Sequence, residues 1–87
     1  MIKKRPRPYL ARFAQVVRDE RRAAQLTQTE MANLLGVYSD GGQVVWRWEN
    51  ARSDGRRAIL RACFEGSLVG AALAQRILKQ VYPAEAE

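Results

Sequence analysis

A helix start and a helix stop lie only nine residues apart in this chain, at Thr27 and Gly36. Thr27 precedes an apolar stretch, and Glu30 follows three residues later, which is the reciprocal side-chain arrangement of a helix N-terminus. Gly36 ends the stretch, because glycine adopts the left-handed backbone of a sharp turn at little steric cost. The segment therefore predicts a short helix over residues 28–35, followed by a tight turn. Its apolar residues are Met31, Ala32, Leu34 and Leu35.

Apolar residues at helical spacing predict four further helices, over residues 9–25, 41–50, 56–65 and 67–82. The apolar positions of the helix over residues 9–25 are Leu10, Phe13, Ala14, Val17 and Ala24. Those of the helix over 56–65 are Ile59, Leu60, Cys63 and Phe64. Those of the fifth helix, over 67–82, are Leu68, Val69, Ala72, Leu73, Ile77, Leu78, Val81 and Tyr82. The stripe on the fifth helix is wider than one core contact requires. Because no strand pattern or repeat is present, the sequence predicts an all-α bundle of five short helices.

The third predicted helix has two different faces. Ser39 or Asp40 is positioned to cap its start, and Val45 and Trp48 are expected to face the core. The opposite face carries Gln43, Trp46, Arg47 and Asn50. This outer face is polar, flat and cationic. The alternative places Trp46 in the core, if the preceding turn rotates the helix.

Charge is unevenly distributed over the 87 residues, a length that allows one small domain. The formal net charge is +6. Residues 1–61 hold thirteen basic and six acidic side chains, a net of +7, whereas residues 62–87 hold two basic and three acidic, a net of −1. The cationic surface is therefore N-terminal and central, and an acidic partner is expected.

Residue types that catalysis and metal binding need are scarce. The chain has no histidine and one cysteine, Cys63, so neither an internal disulfide nor a common zinc site is predicted. The nine carboxylates are scattered, so we expect neither an enzyme nor a cofactor. A single small domain leaves no room for an effector domain, so a small-molecule ligand is not expected either. Cys63 is interpreted as a small buried hydrophobe. The longest uncharged run, residues 66–75, is too short to span a bilayer, so we expect a cytoplasmic protein without a membrane partner.

Both ends of the chain are expected to lie outside the bundle. Residues 1–8 carry two prolines and four positive charges, which disfavour a helix and predict an extended basic arm. The charges are those of Lys3, Lys4, Arg5 and Arg7. Pro83 ends the fifth helix, and residues 83–87 are predicted to form a disordered acidic tail.

The second and third predicted helices resemble a known DNA-binding motif. Residues 26–37, Leu-Thr-Gln-Thr-Glu-Met-Ala-Asn-Leu-Leu-Gly-Val, and residues 45–50, Val-Trp-Arg-Trp-Glu-Asn, resemble the signature L-T-Q-x-E-L-A-x-x-L-G-V … V-S-R-W-E-N-G of λ-repressor-like (Cro/Xre) helix-turn-helix proteins. The resemblance covers about residues 10–65. In size, basic arm and Gly-Gly turn the chain is also similar to small plasmid repressors of the KorC type. It departs from the signature in a turn about three residues longer, in Trp46 where a small residue is usual, and in Ala51 where glycine is usual.

The resemblance implies which residues read DNA bases. By the motif's pattern, Gln43 and Arg47 face base edges, where glutamine pairs with adenine and arginine with guanine. Trp46 shares that face and is predicted to pack on a thymine methyl group or a sugar edge. The alternative is that Gln43 and Arg47 are solvated residues of the helix surface.

The resemblance also implies contacts to the DNA backbone. Gln28 matches a phosphate-contacting position at the start of a helix. The full set expected to contact phosphates is Thr27, Gln28, Gly42, Asn50, Arg52, Arg56 and Arg57. The basic arm is expected to enter a minor groove. The alternatives are structural: a helix-start residue at Gln28, a turn at Gly42, a solvated charged face for the arginines and a solubilising tail for the arm.

The function implied by the resemblance is a transcriptional repressor that binds double-stranded DNA. A homodimer would place two recognition helices in successive major grooves of an inverted-repeat operator. Dimerisation is assigned to the fifth helix, at Val69, Leu73, Ile77 and Val81; the alternative is a fifth helix packed entirely within its own chain. Two other functions remain open. One is the antitoxin of a toxin–antitoxin pair, which shares the fold and autorepresses, and the other is a protein-interaction module that uses the basic face.

Overall fold

The computed structural model describes residues 8–37 and 43–82, and these ranges contain helices and turns without a strand. Five helices follow one another along the chain: α1 Pro8–Ala23, α2 Gln28–Leu34, α3 Gln43–Glu49, α4 Arg56–Glu65 and α5 Leu68–Val81. The prediction of an all-α chain with five helices is confirmed for the described residues. Every described helix end lies within two residues of its predicted position. Among the described residues, no helix has the length and apolar character needed to cross a membrane.

Three helices end in the same left-handed backbone turn. After α1, α2 and α3, the residues Gln25, Gly36 and Ala51 have φ angles of 58°, 74° and 57°. The amide that follows each of them donates to a carbonyl five residues earlier, at 2.9–3.0 Å: Leu26 to Arg21, Val37 to Ala32, and Arg52 to Arg47. These bonds satisfy carbonyls that a helix end leaves unpaired. Since only Gly36 lacks a Cβ, Gln25 and Ala51 hold this backbone with strain.

Side-chain caps set the starts of α2 and α5. The predicted reciprocal cap of α2 is present: the Glu30 amide donates to Thr27 Oγ1 at 3.0 Å, and the Thr27 amide donates to Glu30 Oε1 at 2.8 Å. At α5, Ser67 Oγ accepts a hydrogen bond from the Gly70 amide at 3.1 Å. Ser67 is therefore a cap and not the first helical residue, which moves the start of α5 to Leu68.

The core contains side chains from all five helices around Trp48. The Phe13 and Trp48 rings pack edge to face with centroids 5.6 Å apart. Val45 and Trp48 are buried, as predicted for the inner face of α3. The remaining large side chains that are fully buried are Phe13, Val17, Met31, Ile59, Leu73 and Ile77. Helix α3 packs on α1 and α2, and α5 packs on α4 and α1.

Several apolar positions differ from the prediction. Val16 is buried although it was not expected in the core, and Ala24 is exposed because α1 ends before it. Cys63 is half-buried, and desolvation raises the pKa of its thiol, which keeps it protonated. Phe64 is 86% exposed, since α4 turns it away from the core.

The predicted dimer interface on α5 needs correction. Leu73 and Ile77 are 1% and 0% exposed and lie in the core of the single chain, so they are not available to a second copy. Val81 is half-buried against the same core. Val69 alone of the four predicted residues is well exposed, at 62%. Most of the apolar stripe of α5 therefore packs against α1 and α4.

The strain at Ala51 predicts a stabilising substitution. Left-handed backbone costs an alanine about 1–2 kcal/mol, whereas the extra freedom of glycine in the unfolded chain costs about 0.4–1 kcal/mol. We expect Ala51→Gly to raise the free energy of unfolding by about 0.5–1 kcal/mol, measured by urea denaturation. Gly36→Ala is the matched reverse change, because nothing lies within 4 Å of the added methyl group, and it should lower stability. A loss of stability in Ala51→Gly would contradict the assigned strain.

Candidate nucleic-acid interface

Helix α3 presents an outer face opposite its buried residues. Gln43, Trp46, Arg47 and Asn50 follow one another at the spacing that places side chains on one side of a helix. Gln43 and Asn50 are exposed, Trp46 is 40% exposed, and Arg47 is half-buried. Trp46 therefore lies at the surface, and the alternative that placed it in the core is wrong. The structure brings the three predicted base-contacting side chains to one surface.

Trp46 and Arg52 are packed together at this surface. The Arg52 guanidinium carbon lies 5.6 Å from the centroid of the Trp46 ring, within the range of a cation–π contact. Asn50 Nδ2 donates to the Trp46 carbonyl at 2.8 Å, so this amide closes the last turn of α3. The contact holds the positive charge of Arg52 beside the outer face, although Arg52 itself follows the helix.

A buried carboxylate, Glu49, joins α3 to the two preceding helices. Its side chain is 4% exposed and accepts two hydrogen bonds from Arg21, one from Nε at 2.5 Å and one from Nη2 at 3.1 Å. Gln28 Nε2 donates to the same carboxylate at 3.2 Å, and Arg18 Nη2 donates to the Glu49 carbonyl at 2.8 Å. The hydrogen bond to Glu49 raises the pKa of Arg21 above its usual value. The network holds the end of α3 against α1 and the start of α2.

Two predicted phosphate contacts have structural partners. The Gln28 side-chain amide donates to the Glu49 carboxylate, and the Thr27 hydroxyl accepts the capping bond from the Glu30 backbone amide. These contacts support the structural alternative for Gln28, that of a residue that secures the helix start. A phosphate contact by either residue stays a prediction.

The basic residues after α3 are directed to different parts of the surface. Arg52 lies on Trp46, whereas the Arg56 guanidinium lies 6.0 Å from the Tyr82 ring at the end of α5. Arg57 is exposed and lines a groove with Val44. Of the three arginines, Arg52 has a described contact with the outer face of α3. Gly42, the capping residues Ser39 and Asp40, and the arm residues Lys3, Lys4, Arg5 and Arg7 lie outside the described residues.

The sequence pattern did not predict the network around Glu49. Arg18 and Arg21 belong to the charged side of α1, and nothing in their spacing indicates a partner on α3. The available signal was Glu49 itself, which follows the core residue Trp48 directly. A carboxylate next to a buried aromatic residue requires a charged partner if it is buried with it. In the described part of the chain, no group of acidic, cysteine or histidine side chains is arranged to hold a metal ion.

Comparisons with known proteins give no significant match: no family model, curated protein or solved structure matches this chain.

The Glu49 network predicts a large effect of a small substitution. Glu49→Gln removes the negative charge but keeps the size of the side chain. The Arg21 guanidinium, whose side chain is 18% exposed, then loses its counter-ion. We expect the free energy of unfolding to fall by about 2–3 kcal/mol. Glu20→Gln is the control: Glu20 pairs with Arg76, whose side chain is 54% exposed, and its loss should cost less than about 1 kcal/mol. Equal effects of the two substitutions in urea denaturation would remove the special role of Glu49.

Proposed function

We propose that this protein is a sequence-specific repressor that binds double-stranded DNA through a λ-repressor-like helix-turn-helix. The observation that carries the proposal is the pairing of α2 with an α3 that has one buried and one outward face. Helix α2 is bounded by its reciprocal cap and by Gly36, and the buried residues of α3 support an outer face with glutamine, tryptophan and arginine side chains. A second helix presented in this way fits the major groove.

The side chains of the outer face suit the edges of base pairs. Gln43 can form two hydrogen bonds with adenine, and Arg47 can form two with guanine, each pair contributing about 1–3 kcal/mol of discrimination. Trp46 supplies an apolar surface for the thymine methyl group, which is the apolar feature of the major groove. The Arg52 guanidinium packs on the Trp46 ring, and this contact supports Arg52 as the residue that binds a phosphate next to the base contacted by Trp46.

Net charge supports an anionic polymer as the partner. Residues 1–61 contain α1, α2 and α3 and carry a net charge of +7. Such a surface attracts DNA of any sequence and accelerates association, while base contacts select the operator. The proposed mechanism is steric: a homodimer bound to an inverted repeat that overlaps a promoter excludes RNA polymerase.

Selection of bound sequences from a random duplex DNA pool tests the proposal. An enriched inverted repeat, with half-sites one helical turn apart, is the expected result. Binding to DNA without any enriched sequence would overturn the proposal of a sequence-specific repressor. It would favour a protein-interaction module that uses the basic face. The antitoxin function would be favoured if a second small protein co-purified with the chain and increased its affinity for the operator.

Arg47 is expected to contribute sequence preference rather than general affinity. Arg47→Ala should weaken binding to the selected sequence by about 1–3 kcal/mol and relax the preference at one base position of each half-site. Binding to random DNA should change little. Lys79→Ala removes one exposed positive charge from α5 and serves as the control, with nearly unchanged preference. Equal losses of Arg47→Ala on selected and random DNA, measured by fluorescence anisotropy, would make Arg47 a phosphate contact instead.

The basic arm is expected to act through charge. Deletion of residues 2–7 removes four positive side chains and should leave the thermal stability almost unchanged. If the arm neutralises about two to four phosphates, the slope of log affinity against log salt should fall by about two to four units. The loss of affinity should be larger on operators with A·T-rich flanks, where a narrow minor groove concentrates negative potential. An unchanged salt slope would leave the arm as a solvated tail.

A further inference from the structure

Trp46 places an apolar ring in the middle of the polar outer face of α3. It is 40% exposed, and Gln43, Arg47 and Asn50 lie around it at the spacing of one helix side. In the described part of the chain, the other exposed large apolar side chains belong to α4 and α5. Covering exposed apolar area with another apolar group is favourable. A ligand that meets this face therefore gains from an apolar group opposite the ring.

The Trp46 ring is held in position by its own chain. Ala51 has a left-handed backbone with a φ angle of 57°, and the Arg52 amide donates to the Arg47 carbonyl at 2.9 Å. This turn brings Arg52 back over the helix, where its guanidinium carbon lies 5.6 Å from the centroid of the Trp46 ring. Asn50 Nδ2 also donates to the Trp46 carbonyl at 2.8 Å. A ligand therefore does not have to order this ring, which lowers the cost of binding.

The major groove of DNA presents one kind of apolar group, the C5 methyl of thymine. Guanine, adenine and unmodified cytosine are distinguished there by hydrogen-bond donors and acceptors. Methylation of cytosine at C5 places the same methyl group at the same position of the pyrimidine ring, beside a different exocyclic group. An apolar contact detects the methyl group and not the exocyclic group, so thymine and 5-methylcytosine satisfy it alike.

We propose that Trp46 reads the C5 methyl group of a pyrimidine, and that cytosine methylation at the contacted position strengthens operator binding. This reading of the methyl group rests on the proposed function and adds a regulation of the same site, because the affinity for one sequence then follows the methylation state of the DNA. Burial of one methyl group corresponds to about a fourfold gain in affinity per half-site. On an inverted repeat with two half-sites, the gain is about fifteenfold.

Parallel selections from three random duplex pools test the proposal with the full wild-type chain. The first pool has normal bases, the second has deoxyuridine in place of thymine, and the third has 5-methylcytosine in place of cytosine. We expect each half-site from the first pool to contain one thymine that is enriched less strongly as deoxyuridine in the second pool. In the third pool, 5-methylcytosine should replace this thymine in part. The same preference at every position in all three pools would overturn the proposal.

Methyl groups are then added or removed singly in the selected operator. Deoxyuridine in place of the contacted thymine removes the methyl group and keeps the base pair, so it should weaken binding about fourfold per half-site. A C·G pair at the same position should gain about fourfold per half-site when its cytosine is methylated at C5. Fluorescence anisotropy measures both changes. Equal affinities with and without the methyl group would contradict the proposal.

Substitution of Trp46 shows whether this side chain detects the methyl group. Trp46→Ala should bind the methylated and unmethylated operators with equal affinity. Gln43→Ala is the matched control on the same face: it should weaken binding to both operators by the same factor and keep the response to methylation. Both side chains are exposed, so the variants should retain the helical circular dichroism of the wild type. A folded Trp46→Ala variant that keeps the full response would overturn the assignment to Trp46.

Failure of this proposal is distinguishable from failure of the repressor. A selected operator whose affinity does not respond to the methyl group would retain the repressor and overturn the role of Trp46. No enriched sequence in any of the three pools would overturn both. Tighter binding to the separated strands than to the duplex would overturn the methyl contact and assign Trp46 to stacking on an unpaired base.

Discussion

The positions of α1, α2 and α3 depend on the buried carboxylate of Glu49. Removing a carboxylate from water costs several kcal/mol, so its burial requires good hydrogen-bond geometry. Arg21 from α1 provides two bonds, and Gln28 from the start of α2 provides one. Two bonds from one guanidinium define an orientation as well as a distance. The network thus holds the end of α3 against α1 and the start of α2.

The surface divides into two regions with different physical character. Around α3, the outer face combines Gln43, Trp46 and Arg47, within a part of the chain that is strongly cationic. A second arginine, Arg52, packs on the Trp46 ring. At the α4–α5 junction the exposed groups are apolar, and the charges beside them are of both signs. The proposed DNA contact therefore uses a region separate from the exposed apolar residues of the α4–α5 junction.

Features that depend on near neighbours in the chain were predicted well. The cap between Thr27 and Glu30 and the left-handed turn at Gly36 involve residues three to five apart, and both are present. The inward position of Trp48 and the outward position of Trp46 also follow from helical periodicity. The exposure of Phe64 and Leu68 was not predicted, because the same periodicity describes an apolar residue whether it meets its own core or a partner.

The sequence by itself determined the helix order, the two faces of α3 and the uneven charge, since each depends on residue type and spacing alone. Only the tertiary structure decided which apolar residues of α5 are buried, and that Glu49 pairs with Arg21, 28 residues away along the chain. Burial and ion pairing depend on how the helices pack, and packing brings together residues with no regular separation in sequence. Local signals carry no information about such contacts, so Leu73 and Leu68 look alike in sequence although one is in the core and the other is at the surface.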